Sequence, residues 1–430
     1  MKNSARRYGL FVLLLLILGM GVYNLPPVKS RLDWRLDELR AKIKYAFSPP
    51  EQVVFIPLGQ KAESGSPVPQ TPTQGTVLTP TPLPTEAAIP HTPIPSPMVT
   101  PTPIPGKVRL SGFRHEYQGW NNCGPATLAM ALSFWGWKGD QYDIAPVVKP
   151  NPRDKNVMPD ELADYVKNQT DLNVIVCVGG ELDLLKRLIA AGYPVIVEKG
   201  FESSQVDGWM GHYELITGFD DKLTRFTAQD SYVGPDLPVS YEIMESNWRA
   251  FNFTYLVVYP TDHEAGVLAI LGPQADKTTN DEFAARKAFD EILRLTGRDL
   301  YFAWFNRGSS LVTVQDYAGA AKAYDKAFGL YASIPKKTRP WRMLWYQTGP
   351  YQAYYYAGRY QDVIDLATGT LDNMSEPVLE ETYYWRALAK ESLGDVKGAM
   401  DDLQRSLDDH PGFELGLSQL QRLRNSTPSP

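Results

Sequence analysis

Two cysteines, Cys123 and Cys177, stand in a chain of 430 residues, and no Cys-x-x-Cys pair occurs. That usage excludes a disulfide scaffold and the common structural zinc sites, so any thiol chemistry rests on one sulfur. Cys123 lies in HEYQGWNNCGPATLAMALSFWG. From Cys123 onward Leu128, Ala131, Leu132 and Trp135 fall on one helical face, and Pro125 suits a first turn, where its missing N–H has no partner to lose. Cys123 is therefore expected at a helix N-terminus, where free N–H groups and the positive dipole end favour a thiolate. Free cysteines are mostly small buried hydrophobes, but Asn121-Asn122 before it and Gly124-Pro125 after it make a polar turn.

A thiolate nucleophile needs a base, and the chain has five histidines. His91 falls in a Pro/Thr-rich stretch, His263 in an expected linker and His410 in a helical C-terminal region, leaving His115 and His212. His212 stands in GWMGHYELITGFDD, where Gly211 allows close backbone approach and Tyr213 to Phe219 reads as a strand. After a turn at Asp220-Asp221-Lys222, FTAQDSY presents Asp230 on a second strand, so the hairpin can set His212 beside Asp230. Asp230 would then hold the imidazole tautomer while the other ring nitrogen faces the sulfur. Alone, His212 reads as an ordinary satisfied histidine; with Cys123 and Asp230 it reads as a triad.

The runs YQGWNNCGPATLAMAL, GHYELITGF and DSY together resemble the stand-alone relatives of cysteine peptidase family 39, papain-fold enzymes named for bacterial peptidases that trim double-glycine leaders. The resemblance spans roughly Val108 to Tyr259. It implies Cys123 as nucleophile, His212 as general base and acid, Asp230 as the orienting residue and Gln118 as an oxyanion-stabilising amide. In the transporter-fused members the matching glutamine stands one residue farther from the cysteine. No P-loop or multi-span transporter accompanies the domain here, so leader trimming is not carried over as the substrate.

These residues need an α+β scaffold to position them. A second helix is predicted over MPDELADYVKNQ, a strand at VIVCVGG, a third helix over ELDLLKRLIAAG, and further strands at YPVIVEKG and FTYLVVYP. Cys177, among Val174, Ile175, Val176 and Val178, reads as structural. The Phe201 to Gly211 segment reads as a loop lining the cleft, with Trp209 either in that lining or in the core.

Composition sets the rest of the chain around this domain. Hydrophobic residues make up 43% and charged residues 21%, which excludes wholly disordered and polytopic membrane chains. A net charge of -6 disfavours nucleic acid as a partner. The uncharged run Gly9 to Leu25 follows Lys2, Arg6 and Arg7 and is just long enough, at ~1.5 Å per residue, to span a bilayer core of roughly 30 Å. It reads as an uncleaved single-pass anchor. Leu32, Leu36, Leu39, Ile43 and Phe47 then recur at helical spacing. The resulting amphipathic helix should end before Pro49-Pro50, with its basic face on anionic headgroups or with one stripe packed on a neighbour. Much of the excess among 35 prolines lies between Ala62 and Gly106, a Pro/Thr stretch that reads as an extended spacer. Such a stretch is typical of surface-exposed proteins, which favours extracytoplasmic folded domains over the orientation the basic residues after the anchor would set.

The C-terminal third repeats. DYAGAAKAYDKAF, RYQDVIDLATGTL and DVKGAMDDLQRSL start at Asp316, Arg359 and Asp395, spacings close to the ~34 residues of tetratricopeptide units with an insertion around Ser333 to Arg342. Trp304, Gly308, Tyr317, Ala320, Tyr324 and Ala327 resemble that family's pattern, and its Tyr-rich face suggests a protein partner, although packing should claim most of those aromatics. The expected organisation is a membrane anchor (1–27), a juxtamembrane amphipathic segment (28–61), a Pro/Thr linker (62–106), a papain-like α+β cysteine peptidase domain (107–262) and an all-α tetratricopeptide-type solenoid (278–425). The expected activity is cleavage of a peptide or protein amide bond, with no metal and no organic cofactor. The alternative is a non-catalytic peptide-binding scaffold on the same fold.

Overall fold

A computed structural model describes residues 39–49, 55–57, 104–202 and 208–426. The anchor run Gly9 to Leu25 and most of the Pro/Thr linker lie outside the described residues, among which no helix is long and apolar enough to cross a membrane.

The first described element is a helix over residues 39–47, α1, which ends before Pro49 as the sequence indicates. A seven-stranded antiparallel sheet follows: β1 (Lys107–Arg109), β2 (Leu172–Cys177), β3 (Val195–Phe201), β4 (Met210–Asp220), β5 (Arg225–Asp230), β6 (Gly234–Ser240) and β7 (Tyr255–Pro260). The strand order is β2-β7-β3-β4-β5-β6, with β1 also on β4. Alternation along the central strands builds two cores at once, because successive side chains point to opposite faces. Ile196, Leu215, Leu256 and Val258 pack with α2 (Cys123–Phe134), α3 (Gln141–Val148) and α4 (Pro159–Gln169). Val195, Val197, Ile216 and Val257 pack with α5 (Leu182–Ala190), α6 (Tyr241–Arg249) and α7 (Glu264–Leu271). Two bonds pin α2 to the sheet: Thr127 Oγ1 donates to the Tyr213 carbonyl at 3.1 Å and Trp135 Nε1 to the Val258 carbonyl at 2.9 Å. Strand β6 and helices α3 and α6 were not read from the sequence.

The C-terminal region is helical throughout: α8 (Lys277–Ile292), α9 (Gly297–Thr313), α10 (Tyr317–Tyr331), the short α11 (Met343–Tyr346), α12 (Gly349–Tyr356), α13 (Tyr360–Asn373), α14 (Glu380–Ser392), α15 (Val396–Asp409) and α16 (Glu414–Ser426). Antiparallel pairs α9–α10, α12–α13 and α14–α15 correspond to the three repeated segments. Gly308 shows why small residues recur there, since a Cβ on it would lie 2.7 Å from the Tyr324 ring. Tyr354, Tyr383 and Trp385 are buried, whereas Tyr356 is 55% exposed, so packing takes most of the aromatic face.

Two expectations change. The linker around His263 is instead a folded junction, where Val267 and Leu271 of α7 enter the sheet core. Asn280 of α8 exchanges two bonds with Val178 (2.8 and 2.9 Å). The two modules thus share one continuous interface, extended by the buried Arg249–Glu291 pair at 3.0 Å. Residues 55–57 also contact the folded body rather than standing apart from it: Phe55 packs on Phe328 and Tyr354 of the helical region, while β1 pairs with β4.

Carboxylates crowd this interface. Glu161 of α4, Glu380 of α14 and His410 bring donor atoms within 4.8 Å of one another, with His410 Nδ1 2.7 Å from Glu380 Oε1. Burial, and then the Glu380 charge, push Glu161 up to about 7, and the same two causes push Asp409 to about 6. A carboxyl raised above its unfolded value contributes stability that is complete below the ordinary carboxyl range and is lost as pH rises through the folded value. The unfolding temperature should therefore be higher near pH 5.5 than near pH 8, and Glu161→Gln should flatten that difference, as calorimetry across the range will read.

Candidate active site

Cys123 opens α2, and the turn before it is held from three sides. Asn121 adopts φ 54°, a left-handed conformation that its short polar side chain tolerates. Lys149 Nζ donates to the Asn121 carbonyl at 3.0 Å and to the Asp154 carbonyl at 3.1 Å. Gln141 at the start of α3 accepts from Gly119 N (2.6 Å) and Asn122 Nδ2 (3.3 Å) and donates to the Tyr117 carbonyl (2.8 Å). The sulfur is thereby fixed over the start of β4, where it accepts from the Tyr213 backbone N–H and shares a hydrogen bond with His212.

Strand register sets the partners of His212. It faces Lys199 across the β3–β4 ladder, with Glu214 two residues along on the same face. Leu215 opposes Gln229, so Asp230 comes beside Glu214 and diagonal to His212. His212 Nε2 lies 3.1 Å from Asp230 Oδ1, which leaves Nδ1 for the sulfur. Asp230 Oδ1 also accepts from the backbone N–H of Tyr232 (2.7 Å) and Val233 (2.8 Å). Gly211 is needed just before the histidine, because a Cβ there would sit 2.7 Å from Phe251 and 3.1 Å from Tyr346. Phe201 covers the imidazole, ring centroids 4.9 Å apart.

The electrostatics follow from this contact set. Burial opposes a charged Cys123, yet the hydrogen bond and charge of His212, the Tyr213 N–H and the charge of Lys149 hold its thiol below the ordinary value. Burial pulls His212 down, but Asp230 and Cys123 push it up to about 9. Asp230 is held well below the usual carboxylate range by His212 and Lys199, against the cost of its burial. Cys177 behaves oppositely: burial pushes it up to about 11. Such a site can hold a thiolate and an imidazolium side by side at neutral pH.

Cys123, His212 and Gln118 line one cavity of about 580 Å³. Gln118 Oε1 accepts from the Ser231 hydroxyl at 2.9 Å and its backbone N–H donates to the Ser231 carbonyl at 2.8 Å, so the residue after Asp230 positions it. His115 lies edge-on to Tyr117 and is not the histidine at the sulfur. Met210 and Gly211 line the cleft as expected of their segment, but Trp209 does not. It is 2% exposed and stacks on Phe251 at 5.8 Å in the core shared with the helical region.

Lys199 and Glu214 escaped the sequence reading. Lys199 Nζ stands 2.8 Å from Glu214 Oε2 and 4.0 Å from Asp230 Oδ2, with all three side chains buried. Charged residues inside the otherwise apolar runs YPVIVEKG and HYELITGF were the available signal. Gln141 and Lys149, on an unread helix and its end, carried none. Removing one partner of a buried pair costs about 3–5 kcal/mol because the other charge is left alone. Lys199→Met should therefore destabilise the protein by about that much, and the double change with Glu214→Leu should recover part of the loss in an unfolding-temperature cycle.

Residues 109–256 match the sequence profile described as the Peptidase_C39 like family. Similar solved structures include a putative C39-like peptidase from Bacillus anthracis, 18% identical over 35% of this chain and 96% of that one, with a TM-score of 0.28. They also include the peptidase domain of Streptococcus ComA, a bi-functional ABC transporter involved in quorum sensing (15% identical, 35% and 100% covered, TM-score 0.29). A third is xylellain, a cysteine protease from Xylella fastidiosa (16%, 37% and 87%, TM-score 0.30). No curated protein matches the chain. The profile match spans the strands and helix that carry Cys123, His212 and Asp230, so residues 109–256, an α+β unit ahead of a helical C-terminal region, are similar to the Peptidase_C39 like family.

Proposed function

We propose that the protein is a membrane-anchored cysteine peptidase acting through Cys123, His212 and Asp230. The supporting observation is one cleft in which a thiol at a helix N-terminus shares a hydrogen bond with an imidazole whose far nitrogen meets an ionised carboxylate. In the reaction, the Cys123 thiolate attacks the carbonyl carbon of an amide and a C–S bond forms. The oxyanion is received by the Cys123 backbone N–H and the Gln118 side-chain amide. The His212 imidazolium gives its proton to the leaving amine as the C–N bond breaks. Water, deprotonated by the now neutral His212, then releases the acyl group and returns the thiolate. Asp230 keeps Nδ1 turned to the sulfur throughout.

The apolar run Gly9 to Leu25 supports an anchor, and the Thr/Pro composition supports a folded body outside the cytoplasm. The repeated helical pairs support a tetratricopeptide-type module that holds a protein partner or substrate. Peptide or protein is the substrate class, and the reaction as written uses only side-chain and backbone groups of this chain together with water.

Alkylation tests the reading first. Cys123 should react with iodoacetamide near pH 6 while Cys177 stays unmodified, and His212→Ala should move Cys123 reactivity up into the ordinary thiol range. Equal, slow reaction of both cysteines in the native protein would contradict the proposal. Peptide release, compared between wild type and Cys123→Ala on a cell-surface proteome, should fall away above about pH 9, where His212 loses the proton it must donate. Gln118→Ala should lower turnover by about 10²–10³-fold, the usual loss for one oxyanion donor, and leave Cys123 alkylation unchanged.

A further inference from the structure

Helix α1 shares the cavity of the candidate triad. Ala41, Lys42 and Tyr45 line the same space as Cys123 and His212, although α1 precedes the domain in sequence by a long linker. It is held there by the helical region. Lys44 Nζ donates to the carbonyls of Asp372 (2.5 Å) and Met374 (2.6 Å), at the C-terminal end of α13, where unsatisfied carbonyls and the negative dipole end attract a cation. Arg40 pairs with Glu376 at 3.4 Å, and the Tyr45 ring meets Trp341 edge-on at 5.3 Å. Lys155 of the catalytic domain donates to the Glu376 carbonyl at 2.9 Å. Three parts of the chain therefore meet on residues 372–376, and Glu376, with Trp345 and Tyr346, completes the cavity wall.

The contact is of a particular kind. Leu39, Ile43 and Phe47, the apolar stripe of α1, point outward and are 54%, 53% and 88% exposed. Among the described residues, polar bonds and the Tyr45–Trp341 ring contact hold the helix in place, and its apolar stripe is left unburied. Beneath it the cavity stays open at about 580 Å³, within the roughly 300–1,000 Å³ of sites that enclose a small ligand or a few residues of chain.

We propose that α1 is the outer wall of the substrate cleft and sorts substrates by cross-section, admitting a single extended peptide strand to Cys123 and excluding folded chain. The assignment rests on the peptidase reading and deepens it: the substrate is an unfolded or terminal segment. Specificity is set jointly by α1 and by the α11 and 372–376 parts of the helical region, which act as walls of the site in addition to any remote recruiting role.

Paired thiol reagents on the full-length protein test this. Labelling of Cys123 is timed with iodoacetamide and with a maleimide carried on a folded protein, in wild type and in Arg40→Ala/Lys44→Ala, whose side chains lie outside the cavity. The expected result is an increase of about tenfold in the bulky-to-small rate ratio, the effect of weakening closure by one decade in its equilibrium constant, with the iodoacetamide rate unchanged. Tyr45→Ala, which keeps both anchors, should raise the ratio as well and guards against a misfolded double variant. An unchanged ratio in both variants, or equal acceleration of both reagents, overturns the proposal. If wild-type Cys123 fails to react with iodoacetamide near pH 6, the peptidase reading fails instead. The ratio, measured at alkaline pH where any thiol ionises, then still decides the role of α1.

Discussion

The hydrogen-bonded contact between the Cys123 sulfur and the His212 imidazole is the constraint on which the rest of the structure depends. A thiolate in a cleft walled by Phe201, Trp345 and Tyr346 loses most of its hydration, a cost that a neighbouring imidazolium and a peptide N–H must offset. The imidazolium is itself buried and needs Asp230, and Asp230 is buried and needs Lys199, which is in turn matched by Glu214. Each charge is tolerable only because the next is present. The series ends inside the sheet, which explains two buried charged residues that touch no cleft.

Antiparallel pairing is what makes such a series possible. Lys199, His212, Glu214 and Asp230 come from three neighbouring strands, and register alone brings them to one face. The thiol arrives from the other layer, on a helix fixed by Thr127 and Trp135 to the sheet and by Gln141 and Lys149 to the preceding turn. The helical region then closes the cleft with Trp345, Tyr346 and Glu376, and its loop after α13 binds α1. Side chains of the α+β domain, of the helical region and of α1 thus line one cleft.

The sequence disclosed most about this arrangement where local rules apply. The helix starting at Cys123 announced itself through its polar turn and Pro125, and the His212–Asp230 hairpin through two apolar runs around an acidic turn. The buried fate of Cys177 followed from its β-branched neighbours. What stayed hidden was set by packing between distant segments. Trp209 looked like part of a loop but fills the core shared by two modules, because Phe251 and Tyr346 converge on it. Segment 263–277 looked like a linker but folds as α7 and the approach to α8, since Val267 and Leu271 find apolar partners in the core that α5 shares with the sheet. The end of the amphipathic helix before Pro49 was legible, yet its orientation was not. Arg40 and Lys44 face the helical region and the apolar stripe faces outward, a choice dictated by the α13 C-terminus, which no reading of residues 28–61 alone could reveal.

The central claim is that Cys123 and His212 form a thiolate–imidazolium pair before any substrate arrives. Ultraviolet thiolate absorbance, taken as the difference between the protein and its Cys123→Ala variant across a pH titration, measures this directly. The expected result is a thiolate signal from Cys123 that appears at lower pH than that of an unperturbed cysteine. A signal that rises only in the ordinary thiol range, at or above the value of an unperturbed cysteine, would contradict the pair and with it the account of the site.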